Sequence, residues 1–186
     1  MNASTVSAYG VATLALAAVL VFWVIGAYNR LVAMRNEIAQ AWAKVQVALD
    51  QRSAAVEPLG LALREPMAAE QGALDTWLAA HAEAAKAATR LAARVVDQPT
   101  AQAWVTAEAA LAAAASRVLA LLDQHAELRQ QEQVADLTTR WREAQARLPF
   151  ARQLFNEAAQ SYNDARVVFP TRWVAAGFKL RAAGLI

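Results

Sequence analysis

The stretch from Val134 to Phe169, VADLTTRWREAQARLPFARQLFNEAAQSYNDARVVF, has the strongest periodic pattern in the chain. Along it Val134, Leu137, Trp141, Ala144, Leu148, Ala151, Phe155, Ala158, Tyr162, Ala165 and Phe169 recur at alternating steps of three and four. Residues at that spacing fall on one stripe of an α-helix. A seam in which large residues alternate with Ala is what closely packed helices present to one another. The spacing predicts one long helix with its inner face buried throughout. Pro149 lies inside it, and a mid-helix proline removes a backbone hydrogen bond, so a kink or a split into two helices is expected there.

Upstream, three more stripes have the same period. Trp104, Leu111, Val118 and Leu122 share one face of a helix that runs to about Gln124. Its Ala109–Ala115 stretch allows close helix approach. Asp97-Gln98-Pro99-Thr100 before it combines a stop with a new start. A preceding helix from about Met67 to Val96 turns Leu74, Leu78, His81, Ala85, Ala88, Ala92 and Val95 inward. The first stripe consists of Leu31, Met34, Ile38, Trp42, Val45, Leu49 and Val56, and Pro58, Gly60 and Pro66 are expected to end it. Four helices joined by short turns predict an all-α protein, an antiparallel up-down-up-down four-helix bundle over residues 28–169.

After a short N-terminal tail (residues 1–7), the run Ala8–Ala27, AYGVATLALAAVLVFWVIGA, carries no charge. At 1.5 Å per residue it spans about 30 Å, the thickness of a bilayer's hydrocarbon core. A cleaved signal peptide would carry a basic n-region, and residues 1–10 hold neither Lys nor Arg. The reading is a retained transmembrane helix that continues without a breaker into the bundle. Arg30, Arg35 and Lys44, against Glu37, favour a cytoplasmic bundle with the N-terminus outside.

Composition excludes several function classes. There is no Cys, hence no disulfide, thiolate metal site or Cys nucleophile. The 18 basic and 16 acidic residues are scattered and leave a net charge of +2, so no nucleic-acid footprint is expected. A di-iron bundle site needs Glu-x-x-His pairs, and neither His81 nor His125 follows a Glu by three. Ser116 and Ser161 have no convincing His partner, and no GxGxxG or P-loop text occurs. Trp42, Trp77, Trp104 and Trp141 fall at core positions. No catalytic residue, metal site or cofactor is expected, and the chain reads as a non-enzyme.

Two motifs overlie this periodicity. One is Tyr28-Asn29-Arg30-Leu31-Val32-Ala33-Met34-Arg35-Asn36-Glu37, continuing through Ala41-Trp42 to Gln51-Arg52. The other is Phe155-Asn156-Glu157-Ala158 with Tyr162-Asn163 and Phe169-Pro170. They resemble the LemA family of bacterial membrane proteins, whose patterns are roughly YNxLVxLRNxVxxAW and YNxAVxxYNxxxxxFP. The chain departs from that pattern at Val56-Glu57-Pro58-Leu59, at Gln46, at Gly177-Phe178 and at Pro149. The resemblance implies an N-terminal membrane helix followed by a helical bundle, and no defined mechanism. Some relatives carry a lipoprotein-type Cys before the YN motif, which would place the bundle on the other side of the membrane. That leaves the side open.

The motif residues Tyr28, Asn29, Leu31, Arg35, Asn36, Trp42, Asn156, Tyr162, Asn163, Phe169 and Pro170 are the candidate interaction set. Their Asn side chains either set register by bonding across the bundle or, with Arg35, form a recognition patch. Residues 170–186 form an amphipathic tail in which Arg172, Trp173, Phe178, Lys179 and Arg181 suit a membrane interface, the alternative being a cap on the open end of the bundle. The expected function is a single-pass scaffold or adaptor at the bacterial inner membrane. Its partners would be the lipid bilayer and other membrane or envelope proteins, with self-association open. The alternative is a module that binds a small ligand or lipid in the bundle interior.

Overall fold

The computed structural model describes residues 3–186, with side chains from Gly10 onward, and every regular element among the described residues is helical. In chain order these are α1 (Ala3–Arg64), a 3-10 turn (Ala68–Glu70), α2 (Gln71–Ala93), α3 (Gln98–Leu122), α4 (Ala126–Gln130), α5 (Glu132–Val167) and α6 (Thr171–Gly177).

Helix α1 runs unbroken for 62 residues, about 93 Å at the helical rise. Its first part has a window of mean hydropathy 2.3, none of it buried, and Leu14, Leu16, Val19, Leu20 and Phe22 all face outward. It is long and apolar enough to cross a membrane. From Leu31 onward the same helix turns a stripe inward, with Leu31, Ile38, Trp42 and Val45 buried. Helix α3 also reaches the length and hydropathy of a span, at 1.6, and buries one face through Trp104, Glu108, Leu111, Val118 and Leu122.

Helix α1 packs along α5 and against α2, and α2 packs against α3, while α3 and α5 stand farther apart. The core divides into two clusters along this body. The one nearer the apolar segment gathers Leu31, Trp42, Leu91, Trp104, Phe155 and Tyr162. The far one gathers Val56, Leu63, Leu74, Trp77, Leu122 and Trp141. Each is centred on edge-to-face aromatics: Trp42 meets Trp104 at 5.5 Å and Phe155 at 5.9 Å, and Trp77 meets Trp141 at 6.2 Å. Such pairs add about 0.5–1.5 kcal/mol beyond the burial itself.

Several boundaries differ from the expectation. Pro58 does not end α1, because Leu59, Leu63 and Met67 beyond it are buried. Leu59 and Leu63 lie on α1 itself, and their burial at about 1.5–3 kcal/mol each offsets the ~3 kcal/mol that a mid-helix proline costs. Pro149 likewise lies inside a continuous α5, on its exposed side. The expected α2 stripe is rotated: the buried set is Leu74, Trp77, His81, Ala84, Ala87 and Leu91, and Ala85 is exposed. Trp77 and Leu91 set that rotation, since they remove more apolar surface from water than the Ala positions can. Gly60 permits the α1–α2 approach, because a Cβ there would lie 2.7 Å from Leu78 Cδ2.

The α5 seam holds to Tyr162, with Ala159 taking the buried place expected of Ala158. It fails at Phe169, which lies beyond the end of α5 and is 61% exposed. The start of α3 is as expected: Asp97 caps it, its carboxylate accepting the Thr100 N–H at 3.2 Å, with Pro99 in the first turn.

Candidate functional site

The motif asparagines of α5 bond to tail backbone at Ile186 and Ala183. Asn156 donates through Nδ2 to the Ile186 carbonyl (2.6 Å) and accepts the Ile186 N–H through Oδ1 (2.8 Å). Asn163 does the same to Ala183, donating at 3.0 Å and accepting at 2.9 Å. Between them the Tyr162 hydroxyl donates to the Arg181 carbonyl at 2.9 Å, and Arg166 reaches the Leu180 carbonyl at 3.4 Å.

The spacing explains why two asparagines seven residues apart can hold tail residues three apart. Seven helical residues advance about 10.5 Å, and three residues of extended, threefold chain advance about 9.3 Å. An Asn amide copies the donor and acceptor of a peptide group, so it satisfies tail backbone that would otherwise be buried unpaired. Ala183 and Gly184 are both buried in this segment. Gly184 lies so close to the start of α3 that a Cβ would sit 2.5 Å from Ala101 Cβ and 2.9 Å from Gln98 Cα. Gly184→Val is therefore expected to release the tail. Limited proteolysis should then remove the last residues several times faster than in the parent, and an unchanged rate would mean the tail is not held by this contact.

The first motif divides between core and surface. Leu31 and Trp42 are buried, whereas Asn29, Arg35 and Asn36 are exposed on α1. Tyr28, half-buried, meets Phe178 at a tilt of 44° with ring centroids 4.7 Å apart. Phe169 meets Trp173 edge-on at 5.2 Å, and the Arg172 guanidinium lies 6.0 Å from the Phe169 ring. Pro170, after a cis bond, opens α6, which buries Val174 and Ala175 while Arg172, Trp173, Phe178 and Lys179 remain exposed. The tail thus has two kinds of residue: Leu180, Ala183 and Gly184 are buried against the body, whereas Trp173, Phe178, Lys179 and Arg181 stand out, Phe178 beside Tyr28.

A second polar arrangement went unread in the sequence. Arg52 of α1 makes a two-pronged bond to Glu108 of α3, Nη1 to Oε2 at 2.8 Å and Nη2 to Oε1 at 2.7 Å, and Nη1 also approaches Gln145 Oε1 of α5 at 3.3 Å. Arg152 stacks on Trp104 at 4.5 Å, and burial, its largest influence, pulls its guanidinium below the ordinary value. These groups line the wider gap between α3 and α5. Glu108 interrupts an apolar stripe midway between Trp104 and Leu111, and Arg52 does so between Leu49 and Val56. Two opposite charges inside two apolar stripes were the available signal.

The LemA family model matches residues 41–185. The chain belongs to the LemA family. The match takes in Trp42, the Arg52–Glu108 pair, both clamping asparagines and all but the last residue of the tail they hold, whereas Tyr28 to Glu37 and the apolar segment precede it. No curated protein matches the chain.

Within this LemA-family body the imidazoles do not converge on a metal site, and no cluster of three or more metal-ligating side chains occurs among the described residues. His81 is buried on α2, and His125 lies 3.5 Å from Glu70 at the far turn. Burial, and then the nearby Arg52, hold the His81 pKa below the ordinary 6.5, while Glu57 and Glu108 oppose them. A folded-state value below the unfolded one means that the unfolded chain binds the extra proton first. Stability should therefore be complete above about pH 6.5 and fall as the pH drops towards the depressed value. Melting temperatures between pH 7.5 and 5.5 should show this slope, flattened in His81→Gln. An identical slope in the variant would assign it to other groups.

Proposed function

We propose that this LemA-family protein is a non-catalytic scaffold or adaptor for other envelope proteins, held at the bacterial inner membrane by residues 8–27. In this reading α1, α2, α3 and α5 form an antiparallel up-down-up-down bundle. The observation that supports it most is the continuity of α1, a single 62-residue helix whose exposed apolar part passes directly into the buried core stripe. A partner bound to the body is thereby held at a set height and rotation relative to the bilayer. The polar groups named above also have structural occupations: Asn156 and Asn163 hold the tail, and Arg52 and Glu108 hold each other. Arg30, Arg35 and Lys44 favour the cytoplasmic side.

Affinity capture of the full chain from native membranes, followed by native mass spectrometry in detergent, tests this. Discrete complexes with other membrane proteins or with a second copy are expected. Extraction by alkaline carbonate would remove the anchor from the reading. A second reading, a ligand or lipid held inside the bundle, draws on the gap between α3 and α5. A cavity of about 300 Å³ there is lined by Arg52, Glu108 and Arg152, and two buried guanidinium nitrogens of Arg152 lack a protein partner. A small molecule retained by a partnerless monomer would favour it.

A further inference from the structure

The turn after α6 places a lysine where the backbone favours glycine. The Leu180 N–H donates to the Ala175 carbonyl at 2.9 Å and the Lys179 N–H to the Ala176 carbonyl at 3.2 Å, the paired bonds of a Schellman cap. Lys179 occupies its left-handed position with φ of 52°. That conformation carries a steric penalty for any residue with a Cβ, which is why Gly or Asn usually fills it. A strained residue kept at such a position directs attention to what its side chain does.

Lys179 and Arg181 stand between two adjoining cavities. One, of about 340 Å³, is lined also by Arg35 and Arg94. The other, of about 530 Å³, is lined also by Arg166 and Arg172. Six cations from α1, the turn between α2 and α3, α5, α6 and the tail thus face this region, and Asp97 is the one acid among its lining residues. Asp97 is largely committed to capping α3 and comes only within 4.0 Å of Arg181, which is 86% exposed. Arg166 has a buried Nε with no protein partner. Like charges gathered at this density repel one another unless an anion joins them.

The location selects the anion. Arg35 lies eight residues beyond Ala27 on an unbroken helix, about 12 Å from the end of the apolar segment. The headgroup layer extends about 5–8 Å past the hydrocarbon, and long basic side chains can cover the remainder. On the same corner Trp173, Phe178 and Phe169 are 63%, 53% and 61% exposed, as aromatics at headgroup depth are. We propose that Arg35, Arg94, Lys179 and Arg181 form a binding site for the phosphate of an anionic phospholipid, beside which the exposed aromatics enter the interface. This inference rests on the membrane-anchored reading of α1.

The test uses the full chain in a neutral detergent, with phosphatidylglycerol, phosphatidylcholine or inorganic phosphate added and lipid adducts followed by native mass spectrometry. Phosphatidylglycerol should be retained in preference to phosphatidylcholine, and inorganic phosphate should not displace it at equal concentration. Each basic residue near an anionic lipid is worth about fivefold in binding. Arg94→Gln should therefore weaken retention about fivefold, and Arg94→Gln with Lys179→Gly by about 25-fold. Lys179→Gly alone should raise the lipid-free melting temperature, since it removes the left-handed strain, while lowering lipid retention. A purely structural lysine would give the first effect without the second, which would overturn the proposal. Equal retention of the two lipids would also overturn it, and competition by inorganic phosphate would reassign the site to a free anion. Carbonate extraction of the parent chain reports separately on the anchor, so failure of that reading is distinguishable.

Discussion

Glu108→Ala is expected to destabilise the folded protein by about 3–5 kcal/mol, measured by denaturant or thermal unfolding of the full chain in detergent. Arg52 and Glu108 are 3% and 8% exposed, so removing the carboxylate strands a guanidinium in the core. The Arg52 Nε already lacks a partner there, and Gln145 offers only the longer bond to Nη1. The cost comes from desolvation left uncompensated, and it predicts an asymmetry. Replacing both partners together, as Arg52→Met with Glu108→Leu, should be near neutral or stabilising, because an apolar pair of similar volume avoids the desolvation. If the double variant is as unstable as the single one, the pair matters by its shape and bonds and not by the burial of charge. Such a pair, joining residues on two helices and touching a third, also selects one rotation of α1 against α3.

Phe155→Ala is expected to cost about 3–5 kcal/mol as well, for a different reason. The ring is fully buried on α5 and meets Trp42 edge-on, and Trp42 in turn meets Trp104 of α3. Deleting it leaves a void among three helices whose large neighbours cannot all close in. Phe150, on the same helix but 65% exposed, is the control, and Phe150→Ala should stay within about 0.5 kcal/mol. Asn156 is adjacent in sequence yet holds the tail by two hydrogen bonds. Its replacement by Ala should cost about 1–3 kcal/mol and appear as faster exchange of the Ile186 amide. Equal small effects at Phe155 and Phe150 would show that the core lies elsewhere.

Local sequence signals specify the four long helices and most of the face that each one buries. The α5 stripe from Val134 to Tyr162, the start of α3 at Asp97 and the inward turn of α1 after Ala27 all follow from the 3.6-residue period and from capping chemistry. Those signals are local and need no knowledge of a partner. What happens at Pro58, Pro149 and Phe169 depends on tertiary contacts. A proline's local cost is constant, but the burial that offsets it depends on what lies beyond, and Phe169 leaves the seam because its helix has already ended.

The candidate site was legible in its members and illegible in its use. Asn156, Asn163, Tyr162, Lys179 and Arg181 all stood out in the chain. That the asparagines grip tail backbone 20 and 30 residues away depends on where the turn after α5 sends the chain. Arg52 and Glu108, 56 residues apart, were visible as charges interrupting two apolar stripes. Their pairing, like the gathering of Arg35 and Arg94 around Lys179, is a matter of how the helices are rotated and placed. Periodicity states which face of a helix is buried; which residue of another helix meets it is decided only when the packed core sets register.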